Sequence, residues 1–307
     1  MRSSDAIVFV NGQLTPQGQA SLPLHDAGFV QGATVTDLCR TFRHRLFRLD
    51  DHLARFRRSC TAARIPQPRS DDELAHIADE VVTHNAALLP SDHDLALVMI
   101  ATPGPVGYYL GQPGGAGSGT PTLIMHTFPL PFARYVRLFE QGAALITPSV
   151  RHVPAVCVDP RIKQRSRMHW WLAEQEVHET DPTASALLLD LDGHATETAA
   201  ANFLIVKDGV VRTPPRKGVL EGVSLQVTEE LCSRLGIPFE EAALTVEDCL
   251  EADEAMLAST PYCLAGVSSI NGTSIPWPGS FFERLLTAWN GLAGLDIRRQ
   301  IFANRYT

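Results

Sequence analysis

The chain has 307 residues, 45% of them apolar and 20% charged, a length and composition that bury a large core and suit two domains better than one. A formal net charge of −8 argues against nucleic acid or an acidic membrane surface as the main partner, since either selects a basic face. Six scattered cysteines without a C-x-x-C pair, and the lack of a leader or an apolar run of membrane length, point to reduced, mostly buried thiols in a cytoplasm.

In chain order, "AIVFVNGQL" predicts two strands about an Asn-Gly turn, and "ATVTDLCRTFRHRLFRL" a hairpin. A helix follows from Asp51, where Leu53, Phe56, Cys60 and Ala63 recur at helical spacing and Asp50 and Asp51 suit the positive N-terminal end. A second helix spans roughly 72–89, and "DLALVMIAT" and "PTLIMHTF" are strands on either side of the Gly/Pro/Ser-rich "GQPGGAGSGTP". "FPLPFARY" is expected to be the linker, giving a small α+β domain over 1–128, a linker over 129–136 and a larger domain over 137–307. The second half opens with the strand-like "GAALITPSV", passes through "VDPRIKQRSRMHWW" into a helix ending near Thr180, and continues as short strands with Asp-Gly turns at 192–193 and 208–209. A helix from about 223 to 235 stops at Gly236, and the amphipathic "SFFERLLTAWNGLAG" follows the last strand pair.

Of the 26 lysines and arginines only three are lysine, and two of those, Lys207 in "VKDGVV" and Lys217 in "TPPRKGVL", sit in turn-rich solvent positions. Lys163 instead stands between a Pro-led segment and a helix, where a desolvated amine would have a lowered pKa and form imines. Three anion-binding candidates accompany it. "GVLEGVS" brings a Gly-containing turn ending at Gly222 onto a helix N-terminus carrying Val223 and Ser224; "ASTPY" places Ser259 and Thr260 at a strand end; Arg55 offers a planar fork. Glu197 in "HATETAAANFLIV" adds a carboxylate among small residues. Each has an ordinary reading too, as a helix start, a turn, a solvated helix face and an edge-strand glutamate. Together they suit pyridoxal 5′-phosphate, which needs an imine lysine, an anion near its ring nitrogen and a phosphate cradle. No metal site is expected.

With these residues placed, the chain resembles the fold-type IV pyridoxal-phosphate enzymes, the class IV aminotransferases. The resemblance runs from "VNGQL" to the C-terminal Trp-containing helix and is most specific in "RIKQRSRMHW", "DGHATETAAANFLIVKDGVVRTPP", "VLEGVS" and "AST". It implies an N-terminal α+β domain, a C-terminal pseudo-barrel domain, a cofactor held between them, and a homodimer. Lys163 would be the imine lysine, Glu197 the partner of the pyridine nitrogen, Arg55 a phosphate ligand, and Leu220 the side chain under the ring. Val223, Ser224 and Thr260 would complete the phosphate site.

The implied activity is ping-pong transamination between an amino acid or amine and a 2-oxo acid, with an aminodeoxychorismate-lyase reaction as the alternative. Gln31, Thr36 and Leu38 stand where branched-chain enzymes carry Tyr, Phe and Gly, and Thr102-Pro103 where D-amino-acid enzymes carry an arginine, so neither substrate class is favoured. Arg40, Arg134 and Arg137 remain as candidates for a substrate carboxylate.

Overall fold

The computed structural model describes residues 5–113 and 120–305, so most of the Gly/Pro/Ser-rich stretch lies outside the described residues. The chain divides into two compact units. One joins Met1–Leu130 to the short segment Ile162–Ser166, and the other joins Pro131–Arg161 to Arg167–Thr307. The stretch 129–136 leads directly into the helix Phe132–Glu140, which opens on Pro131, a residue whose fixed φ favours a helix start.

The first unit is built on an antiparallel sheet ordered Gln13–Pro16, Ile7–Val10, Thr122–Pro129, Leu95–Thr102, Val35–Phe42, Arg45–Leu46. Its first hairpin turns on Asn11 and Gly12, both at positive φ, as the Asn-Gly pair predicts. Two helices, Leu49–Ala62 and Asp71–Ala86, cover one face. The second helix begins with a capping box in which Ser70 and Glu73 satisfy each other's backbone N–H groups. Leu53, Phe56 and Cys60 point inward from the first helix against Val35, Leu97, Met99 and Met125, which alternate along the strands.

The second unit closes six strands into a ring. Asn202–Lys207, Glu254–Ser259, Cys263–Ile270, Ala143–Ile146, Ser185–Leu189 and Ala195–Thr198 pair in turn, and the circuit is completed by one pairing, Glu197 with Asn202. Closure at this point is possible because Asn202–Lys207 divides its edge: Ile205, Val206 and Lys207 pair with Val210–Thr213, leaving Asn202 to take the other strand. The helix Met168–Thr180 seals one side of the ring with Trp170, Ala173 and Val177 at helical spacing. Helices Val223–Arg234 and Ser280–Ala293 follow the predicted segments, and Gly236 and Gly294 sit in the left-handed region just past their ends. The fold class is the expected α+β arrangement with a barrel-like second unit.

Five cysteines are buried and Cys157 is exposed; all six are free thiols. Burial pushes the thiols of Cys60, Cys232 and Cys249 up to about 12, so they pack as small apolar groups. Among the described residues no helix is long and apolar enough to cross a membrane.

Candidate functional site

Lys163 belongs structurally to the first unit, although its sequence position lies far inside the second half of the chain. The segment around it extends the edge of Val35–Phe42: the Thr36 N–H donates to the Lys163 carbonyl at 2.8 Å and the Arg165 N–H to the Thr34 carbonyl at 3.0 Å. The Lys163 N–H in turn donates to Ser59 Oγ at 3.2 Å, which ties the lysine to the helix Leu49–Ala62. The residue is half-buried.

That helix also carries Arg55 and His52, both buried against Asp37 of the neighbouring strand. Arg55 donates from Nε and Nη2 to the two carboxylate oxygens of Asp37, each at 2.8 Å, and His52 Nδ1 lies 2.8 Å from Asp37 Oδ1. Burial alone would raise the Asp37 pKa, but the Arg55 charge and the hydrogen bonds from Arg55 and His52 hold it far below the usual carboxylate range. Burial lowers the pKa of His52, and the charges of Arg55 and Lys163 lower it further against the opposing pull of Asp37. A neutral imidazole with its proton on Nδ1 satisfies this arrangement. The carboxylate therefore fixes the Arg55 fork in one orientation. Asp37 and His52 escaped the sequence reading; an acidic residue at a strand position alternating with the inward-facing Val35 and Cys39 was the available signal.

In the second unit Glu197 is 8% exposed and held from two sides. Oε1 accepts the Leu220 N–H at 3.1 Å, Oε2 accepts from Asn202 Nδ2 at 3.2 Å, and the same Asn202 amide donates to the Leu220 carbonyl at 2.8 Å. His152 Nε2 stands 3.6 Å from Oε1. Asn202, which closes the strand ring, thus also orients the carboxylate. Beyond Leu220, Gly222 caps the helix Val223–Arg234. An ideal Cβ there would lie 2.1 Å from Asn202 Oδ1, so only glycine allows this approach. The helix start has no side-chain cap and no acidic residue in its first turn, which leaves the N–H groups of Val223 and Ser224 to a ligand anion.

The remaining predicted residues divide. Thr260 is half-buried at the end of Glu254–Ser259. Ser259 is buried and its hydroxyl donates to the Ala200 carbonyl at 2.6 Å. Arg40 is 1% exposed, donates from Nε to the Thr41 carbonyl, ion-pairs with Asp94 and stacks 3.9 Å over the Phe42 ring, which makes it an internal structural cation instead of a carboxylate receptor. Thr36 is also buried and donates to the Met99 carbonyl, Leu38 is half-buried, and Gln31 is exposed. Arg134 and Arg137 lie on the helix Phe132–Glu140, where Arg137 Nε donates to Gln141.

The sequence profile of the class IV amino-transferases matches residues 34–270, a span that includes Arg55, Lys163, Glu197 and the Leu220–Ser224 turn. The chain belongs to the class IV aminotransferase family. It is 28% identical over 289 residues to a D-alanine aminotransferase of Bacillus licheniformis, covering 92% of this chain and 95% of that one. It is also 28% identical over 269 residues to a Methanocaldococcus jannaschii protein provisionally described as a branched-chain-amino-acid aminotransferase, covering 87% and 89%. Among solved structures, the Escherichia coli branched-chain amino acid aminotransferase superposes with a TM-score of 0.86 at 23% identity, covering 94% of both chains. The branched-chain aminotransferase of the archaeon Thermoproteus uzoniensis, solved with norvaline, gives 0.81 at 22% identity over 94% and 95%. At these identities the structural likeness speaks to the fold.

Proposed function

We propose that this chain is a pyridoxal 5′-phosphate-dependent aminotransferase that moves an amino group between an amino acid or amine and a 2-oxo acid in two half-reactions, acting as a cytoplasmic homodimer. The observation that carries the reading is the Glu197 carboxylate, fixed by Asn202 and the Leu220 N–H beside an uncapped helix start where Gly222 excludes any side chain. Such a paired anion and anion cradle suit a pyridinium nitrogen at one end and a phosphate at the other. The cofactor, when bound, supplies an electron sink that acidifies the substrate's Cα–H.

The chain's own residues take the following parts. Lys163 Nζ would hold the cofactor through its amine and would move the proton at the substrate's Cα. Glu197 would keep the cofactor's ring nitrogen protonated. The Val223 and Ser224 N–H groups and Thr260 would hold the phosphate from the second unit and Arg55 from the first, and Leu220 would support the cofactor. Asp37 keeps the Arg55 fork oriented.

Borohydride treatment followed by peptide mapping, coupled to a screen of D- and L-amino donors against pyruvate and 2-oxoglutarate, tests the proposal. The expected result is a label on Lys163 and acceptor-dependent amine transfer that Lys163→Ala lowers by several powers of ten. A label on Lys207 or Lys217, or acceptor-independent pyruvate release from aminodeoxychorismate, would overturn it.

A further inference from the structure

In the second unit a buried histidine that none of the roles above uses stands beside Glu197. The His152 backbone is fixed, because its N–H donates to the Leu189 carbonyl at 2.9 Å, at the end of Ser185–Leu189. That strand also pairs with Ala195–Thr198, which carries Glu197. The His152 ring packs edge-on against Trp170, centroids 5.7 Å apart, and against His169 at 6.0 Å. Packing on two sides holds it in one orientation.

In that orientation both ring nitrogens face acceptors. Nδ1 lies 3.1 Å from the Val153 carbonyl, and Nε2 lies 3.6 Å from Glu197 Oε1. A neutral imidazole carries a single N–H and turns a lone pair on the other acceptor, whereas the imidazolium donates to both. The hydrogen bonds that Glu197 accepts from the Leu220 N–H and the Asn202 amide come from neutral groups, which orient its charge without balancing it. A buried carboxylate is stabilised by a cation at close range. Two other titratable or charged groups lie around this ring. Burial lowers His169 to about 4, so it is neutral at physiological pH, and Arg167 donates to the Ala199 carbonyl with its guanidinium over the Trp170 ring.

We propose that His152 is a positioning residue for amine transfer: as an imidazolium it donates from Nε2 to Glu197 and from Nδ1 to the Val153 carbonyl, and so keeps the Glu197 carboxylate ionised and fixed. Its consequence for catalysis rests on the aminotransferase reading; the hydrogen bonds do not.

The first test is nitrogen NMR of the histidine side chains at neutral pH in the full-length protein supplied with pyridoxal 5′-phosphate, with His152→Gln used to assign the signal. The expected spectrum of wild type has both His152 nitrogens protonated, and Glu197→Gln returns the ring to a single N–H. A neutral ring in wild type, or one that stays doubly protonated in Glu197→Gln, overturns the proposal. The second test compares a stopped-flow half-reaction with cofactor retention on gel filtration. His152→Ala is expected to slow Cα-proton removal roughly 10- to 100-fold, the value of a charge-assisted hydrogen bond, while retention is unchanged, and His152→Gln, a neutral donor, recovers part of the rate. A wild-type rate in His152→Ala, or retention that falls in step with the rate as general disruption of the unit requires, also overturns it. A Glu197-dependent imidazolium in a protein that transfers no amine would instead refute the aminotransferase reading alone.

Discussion

Asp37→Asn is the most informative single perturbation of the first unit. Asp37 is fully buried and accepts two hydrogen bonds from Arg55 and one from His52, all at 2.8 Å. An amide of the same shape keeps one acceptor oxygen but turns an NH2 group toward the guanidinium and removes the negative charge that faces it. Breaking a buried pair from one side costs about 3–5 kcal/mol, which is roughly two to three and a half powers of ten in the local opening equilibrium. Hydrogen–deuterium exchange on peptides covering Val35–Phe42 and Leu49–Ala62 reads this directly, because the pair joins those two elements. The double variant Asp37→Asn/Arg55→Met, which no longer strands a cation, should regain most of the protection. The sign of the pH dependence follows from the depressed Asp37 pKa. Its contribution is full above the ordinary aspartate value of about 4 and is lost as pH falls toward the folded-state value, so the gap between wild type and Asp37→Asn stays constant from about pH 5 to 8 and narrows in acid. Wild-type exchange rates in Asp37→Asn, or a double variant as unprotected as the two singles added together, would refute the reasoning.

Arg55→Ala is expected to weaken retention of pyridoxal 5′-phosphate on gel filtration by about 10- to 100-fold, the worth of a charged phosphate contact. Arg57→Ala serves as control, because Arg57 is half-exposed and bonded to Asp71 and the Arg69 carbonyl; cofactor loss in that variant instead would show the wrong arginine has been chosen. Glu197→Gln should keep the cofactor yet slow Cα-proton removal by one or more powers of ten in a stopped-flow half-reaction, since an amide cannot stabilise a protonated ring nitrogen; a wild-type rate contradicts the role. Burial, helped by the charges of His152 and Arg167, lowers His169 to about 4 from 6.5, so the fold favours its neutral form. Stability of the surrounding helix is therefore full above pH 6.5 and declines as the pH falls toward 4. Urea midpoints followed by Trp170 and Trp171 emission should drop over that window in wild type and flatten in His169→Gln; a flat wild-type profile would rule this out.

Local features were legible in the sequence because local chemistry fixes them. Both residues of the Asn11-Gly12 and Asp208-Gly209 turns sit at positive φ, as does Gly193, the inward stripe of Leu53, Phe56 and Cys60 is buried, and Gly236 ends its helix in the left-handed region. Lys163 stood out by composition alone, as one lysine outside a turn in a chain that otherwise uses arginine. What the sequence could not carry were partnerships between residues far apart in the chain. Ile162–Ser166 joins the first unit because its backbone hydrogen-bonds to the edge of Val35–Phe42, far earlier in the chain, and no local periodicity encodes that pairing. Arg40 looked like a ligand arginine until the fold brought Asp94 and Phe42 against it. Asn202 drew no notice in the sequence, and only closure of the ring set it on both Glu197 and Leu220. Side-chain type and spacing determine which element forms and which groups are available; burial and the identity of each charged group's partner depend on long-range pairing, and only the tertiary structure decided them.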